Sequence, residues 1–125
     1  MSNWHRFAST LKSEARPLKQ LTCPLEKAVI DLIVVLKIKD QQNLPLLREL
    51  LAQQILMSRQ EPGCVRMEAH ESQAEAGTFF LVEQWASQEA LDVHRKAHAC
   101  TTLYFPKVVP LVDRVPHPSK QLPGT

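Results

Sequence analysis

Residues 28–40, AVIDLIVVLKIKD, leave this chain few ways to fold. The run is dense in Val and Ile, whose branched side chains suit an extended backbone. Read at a period of two, Ala28, Ile30, Leu32, Val34, Leu36 and Ile38 make one wholly apolar set. The other set, Val29, Asp31, Ile33, Val35, Lys37 and Lys39, is apolar in its middle and charged at its end. A strand of an antiparallel sheet with one wet face would alternate cleanly. This one does not, so both of its faces need cover.

The rest of the chain must supply that cover. Residues 43–60 read as a helix, with Asn43 as cap and Pro45 tolerated in the first turn. Leu44, Leu47, Leu51 and Ile55, flanked by Leu46 and Leu50, form its apolar stripe, leaving Arg48, Glu49, Gln53 and Gln54 mostly to solvent. Glu61-Pro62-Gly63 ends it, because Pro cannot continue a helix and Gly accepts a left-handed backbone. A β-hairpin follows, with strands at 64–72 and 78–85 joined by QAEAG. In the first of these, Val65, Met67 and Ala69 share one face and Cys64, Arg66, Glu68 and His70 the other. In the second, Phe79, Leu81, Glu83 and Trp85 oppose Phe80, Val82, Gln84 and Ala86.

Ser87 is a suitable N-cap for a second helix, SQEALDVHRKAHACTTLY, expected to stop near Pro106. At ~100° per residue its inward face carries Ala90, Leu91, His94, Ala97, His98 and Thr101. Residues 111–115 suggest a last short strand. The order β-α-β-β-α-β is the ferredoxin-like arrangement, an α+β fold with two helices on one face of an antiparallel sheet. Two helices cover only that face. A second copy of the same sheet is the simplest cover for the other, so a two-fold homodimer is expected.

At 125 residues the chain supports one domain. The expected divisions are an extension at 1–25, the domain at 26–116 and a Pro-rich tail at 117–125. In the extension Trp4, Phe7, Ala8 and Leu11 fall at helical spacing, and Arg6, Lys12, Arg16 and Lys19 face only Glu14. An appendage packing on the domain or a partner subunit, a cleaved organelle presequence and a membrane-surface segment all fit those residues. A net charge of +2 without a basic-aromatic patch argues against a nucleic-acid partner. No apolar run approaches the ~20 residues of a membrane span. Three cysteines, Cys23, Cys64 and Cys100, without CxxC spacing, suit reduced thiols and a cytoplasmic location.

EPGC at 61–64, Glu68 and His70 in the next strand, Glu83-x-Trp85 and the run ALDVHRKAHA at 90–99 resemble the antibiotic biosynthesis monooxygenase (ABM) domain family. The resemblance spans about residues 28–115 and implies a dimeric α+β barrel. Members of that family include oxygenases of polycyclic quinols that need neither metal nor flavin, haem-degrading enzymes, and an isomerase of a sugar phosphate. The haem-degrading branch carries an Asn on the first strand and a Trp on the second helix. Here VIDLIVVLKI has no Asn, and His94 stands where that Trp would be.

His94 and His98, four apart, have a spacing that can hold zinc, but no third ligand accompanies them, and no metal is expected. His94 either anchors helix to sheet by bonding a strand group such as Glu83, or lines a pocket as base or donor. Glu83, among Phe79, Leu81 and Trp85, is partly desolvated on this reading, which raises a carboxylate pKa. Trp85 serves as core or as a substrate platform. Arg66, Glu68 and His70 form a solvated or interfacial ladder, or reach a ligand. Cys64 and Cys100 read as small buried residues without a basic neighbour to activate them. The resemblance then implies a cofactor-independent monooxygenase of a small aromatic quinol. His94 and Glu83 would be catalytic, and Trp85, Phe79, Leu81, His98, His70 and Arg66 would bind substrate. A tautomerase of a small carbonyl compound, a non-catalytic ligand-binding dimer and a haem-binding protein are the alternatives.

Overall fold

A computed structural model describes residues 29–124. The readings made of residues 1–25 lie outside them. Four strands form one antiparallel sheet in the order β2-β3-β1-β4. They are β1 (Ile30–Ile38), β2 (Cys64–Glu71), β3 (Thr78–Trp85) and β4 (Val112–Ser119). β1 is central, with Val34 opposite Leu81 on one side and Pro116 on the other. One face of the sheet is covered by α1 (Leu44–Arg59), α2 (Gln88–Lys96) and a π-wound helical segment (Ala99–Val108). The core between the layers holds Leu32, Val34, Leu36, Leu81 and Trp85 from the sheet against Leu47, Leu51, Leu91, Leu103 and Val108. This is the α+β, ferredoxin-like fold that the apolar β1 demanded. Among the described residues no helix is long and apolar enough to cross a membrane.

Four local features differ from expectation, each for a physical reason. Asp40 rather than Asn43 makes the first cap, its Oδ1 accepting the Gln42 N–H at 2.9 Å, because a single 3₁₀ turn, Gln41–Asn43, precedes α1. Gln54, expected at the surface, is buried. In β2 the register slips between Cys64 and Arg66, which face Trp85 and Gln84 respectively. That bulge resets the parity: Cys64 packs against the core together with Met67, and Val65 is left exposed. β4 begins at Val112 and continues through Pro116 and Pro118, where a tail was expected. At a sheet edge two prolines of one parity lose only N–H groups that would point to solvent.

The second helix is the largest difference. It breaks at Ala97, whose ψ of 171° is extended. The Ala97 carbonyl accepts the Cys100 and Thr101 N–H groups, and threonine hydroxyls add to the break, Thr101 Oγ1 donating to Ala97 O and Thr102 Oγ1 to His98 O. Beyond the break the chain winds more widely around Pro106, which has no N–H to give a regular ladder. The helical phase therefore restarts. Ala99, Cys100, Leu103 and Tyr104 turn inward, while His98 and Thr101 are exposed.

Candidate functional site

The turn at residues 61–64 does more than end α1. Gly63 has φ +84°, and a Cβ placed on it would lie 2.4 Å from the Ala90 Cβ. Only a glycine admits both that backbone and so close an approach of α2. The Gly63 carbonyl accepts the Ala86 N–H at 2.8 Å, and Ser87 Oγ caps α2 by accepting the Ala90 N–H at 3.1 Å. One turn beyond Ala90, on the same face, stands His94. Its Nδ1 lies 2.6 Å from Glu61 Oε1. The turn thus delivers both the carboxylate and the clearance that brings the imidazole to it.

His94 is only 4% exposed. Its ring stacks on that of Trp85, with centroids 4.3 Å apart and planes at 28°. Trp85 Nε1–H donates to Glu83 Oε1 at 3.0 Å. On the far side of the imidazole, Nε2 lies 3.3 Å from Cys100 Sγ. Burial, assisted by the negative charges of Glu61 and Glu83, pushes the Cys100 thiol up to about 12. The thiol therefore keeps its proton and donates it to His94 Nε2. A carboxylate has no proton to give, so Nδ1–H donates to Glu61. The imidazole is thereby held at both ring nitrogens, Nδ1 by Glu61 and Nε2 by Cys100.

The pairing expected between Glu83 and His94 is replaced by Glu61–His94 and Glu83–Trp85. Burial raises the Glu83 pKa, against the opposing effects of the Trp85 hydrogen bond and the nearby His94. Deeper in the same layer Tyr104 OH accepts from Arg114 Nε at 2.6 Å, and burial raises the tyrosine pKa.

Of the residues named from sequence, His94, Glu83 and Trp85 come together, and Phe79 and Leu81 are buried in the core on the same sheet face. His98 does not join them, since the break at Ala97 turns it out. Arg66 and His70 lie on the opposite face, where both engage Glu68 at 3.0 and 3.2 Å. Among the described residues no three His, Cys, Asp or Glu side chains gather as a metal site requires. An open groove of about 560 Å³ runs between α1 and β2, lined by Leu51, Ile55, Arg59, His70 and Phe79 among others. A second cleft, of about 350 Å³, lies on the outer sheet face around Asp31, Ile33, Arg66 and Gln84. His94 lines neither.

Glu61 and Cys100 were not legible as members of this cluster. The position of Glu61 directly before a Pro-Gly turn is the one signal that could have suggested it. Cys100 is six residues from His94, out of phase for any regular helix, and carries no such signal.

Comparison with known proteins bears on the same residues. Residues 32–103 match the family described as antibiotic biosynthesis monooxygenase, which covers the cluster from β1 to Leu103. No curated protein sequence matches the chain. Among solved structures, one described as an antibiotic biosynthesis monooxygenase superposes with a TM-score of 0.68 at 23% identity, covering 75% of this chain and 99% of its own. A Nitrosomonas europaea protein carrying the same family name gives 0.70 at 19% identity, over 78% and 94%. A Shewanella oneidensis protein gives 0.68 at 27% identity, over 75% and 91%.

Proposed function

We propose, from the premise that the chain belongs to the antibiotic biosynthesis monooxygenase family, that it oxygenates a small hydroxylated aromatic compound with O₂, without metal or flavin, as a homodimer. The observation that carries this reading is the His94 imidazole, held at Nδ1 by Glu61 and covered by Trp85. An electron-rich hydroxyarene needs little from a protein beyond loss of its proton. The substrate hydroxyl takes the place of the Cys100 thiol at Nε2 and gives that proton to His94. Glu61 stabilises the imidazolium that forms. The deprotonated ring then passes an electron to O₂, and the two radicals recombine at carbon. For an anthrone-type ring the CH₂ becomes C=O, with one oxygen atom in the product and the other leaving in water.

Glu83 acts here as a positioning residue, holding the Trp85 ring against His94. Phe79, Leu81 and Trp85 supply the apolar wall. Because His94 is closed off, substrate reaches it when the helical layer parts at the Ala97 break, where its backbone ladder is already interrupted.

Oxygen uptake with anthrone- and naphthohydroquinone-type compounds, in the presence of a chelator and without added flavin, tests the reading. The wild type consumes O₂ and His94→Ala loses about a hundredfold or more of the rate. A folded wild type that is inert across such a panel overturns it. A non-catalytic ligand-binding dimer is the second reading, favoured by the closed core beside an open groove at Phe79 and His70. A ligand that raises the melting temperature without turnover supports that alternative.

A further inference from the structure

Two polar atoms of α1 are unexplained by packing. Gln54 Oε1 and Ser58 Oγ belong to side chains 1% and 0% exposed, and neither has a hydrogen-bond partner among the described residues. A buried polar atom left unpaired costs stability, so each such atom needs a use: an ordered water, an ion or a ligand. The two residues are four apart and share one stripe of the helix. Turning ~100° per residue sets that stripe with Leu47 and Leu50, away from Ala52, Leu56 and Arg59, which line the α1–β2 groove. α1 packs against β2 and against the π-wound segment. Gln54 and Ser58 therefore stand on the side of the segment that turns Cys100, Leu103 and Tyr104 inward. The Ser58 carbonyl also accepts the Glu61 N–H at 3.0 Å, tying this end of α1 to the residue that holds His94.

The chemistry of the two atoms narrows the ligand. An amide oxygen can only accept, so it wants a donor, and an anion would meet it unfavourably. The surroundings are hydrocarbon. A hydroxyl carried on an aromatic ring satisfies both conditions. We propose that Gln54 and Ser58 are the hydroxyl-recognising groups of the substrate site, receiving one ring hydroxyl of a dihydroxyarene between α1 and the π-wound segment while the other hydroxyl faces His94. This rests on the hydroxyarene reading above and adds to it the residues that select the substrate. Both atoms are buried without a hydrogen-bond partner among the described residues, so binding a hydroxyl there relieves a cost that folding left in place.

Calorimetric titration of the full chain with a dihydroxynaphthalene and with its monomethyl ether, which has the same rings and one O–H fewer, tests the assignment. The wild type prefers the diol by roughly tenfold, the worth of one hydrogen bond that the ether cannot donate. Gln54→Leu loses that preference, and its unliganded melting temperature is at or above wild type because the atom removed had no partner. Ser58→Ala, a smaller change, moves both readouts the same way. If the two atoms instead hold a structural water, Gln54→Leu melts lower and keeps the preference, which overturns the proposal. A wild type that binds neither compound, or both equally, overturns it too. The oxygenase reading fails separately: a wild type that shows the diol preference, lost in Gln54→Leu, but takes up no O₂ keeps this site and loses the activity. Oxygen uptake with Gln54→Leu unchanged in preference does the reverse.

Discussion

Two carboxylates that are near neighbours in the sheet show what each of its faces does to a charge. Glu83 on β3 lies opposite Met67, and Glu68, the next residue on β2, lies opposite Val82. Glu83 faces the helices. Burial raises its pKa, and its one hydrogen bond is to an indole that is itself buried. Glu68 faces outward. Its hydrogen bonds with Arg66, and then with His70, lower its pKa in the open. On the inner face Glu83, His94 and Cys100 each have a buried or half-buried hydrogen-bond partner, which is where proton chemistry is affordable. On the outer face charges pair with one another around Ile33, Val35, Phe80, Val82 and Val115, a surface suited to association and not to proton transfer.

The comparison breaks most readily on the inner side. Gly63→Ala forces a Cβ to within 2.4 Å of Ala90 and a left-handed backbone on a residue that resists it. Together these cost about 3 kcal/mol or more, a large part of the 5–15 kcal/mol that holds a typical domain. Relief by shifting α2 would pull His94 from Glu61. Chemical denaturation should therefore show a large loss of stability, and any folded fraction should have lost His94 function as well. A melting curve like wild type would mean that α2 is not seated on this turn.

How much of this was legible depends on where each residue sits relative to the helix break. β1 showed its buried face of Leu32, Val34 and Leu36 at once, because strand parity survives without knowledge of any neighbour. His94 was placed on the buried face correctly because it precedes Ala97, and about two turns of regular phase lead to it from Ser87. His98 was not, since no Gly or Pro marks the point where the phase restarts. The Cys100 contact arises only from that restart. Glu61 meets His94 across 33 positions, through a turn whose residues announce a stop and say nothing about a partner. Gln54 read as a solvent residue because an amide normally is one, and only packing against the second helical layer reveals it as buried. Patterns with a fixed period were legible. Contacts made by irregular backbone were not.

A smaller effect sharpens the contrast in pH dependence. Folding raises the Glu83 pKa above its ordinary 4.5. Over the range between the two values the folded chain holds a proton that the unfolded chain has lost. The contribution of this group is thus full below the ordinary carboxylate range and is lost as pH climbs through the raised value. Glu83→Gln keeps an acceptor for Trp85 and carries no charge. The difference in stability between Glu83→Gln and wild type should grow in favour of the variant from pH 4 towards neutrality, then level off. Glu68→Gln, on the other face, should show the opposite sign, since its pKa is lowered. Equal behaviour of the two variants would remove the distinction between the faces.

The smallest effect on the fold of one chain is expected from the outer face, and it is the one that tests the proposed homodimer. Ile33 is 37% exposed at the middle of β1, between Val82 and His117 on the neighbouring strands. Ile33→Lys places a flexible cation where solvent already reaches, so secondary structure and the inner core should be unchanged. If a second sheet covers this face, the same cation becomes a buried unpaired charge at the centre of the interface, a far larger penalty than losing one apolar contact. Sedimentation at micromolar concentration should then give a dimer for wild type and a monomer for the variant, with melting that depends on concentration only for the wild type. Wild type sedimenting as a monomer would leave the apolar centre of the outer face without an occupant. The two faces would then differ in chemistry alone, and not in what each is covered by.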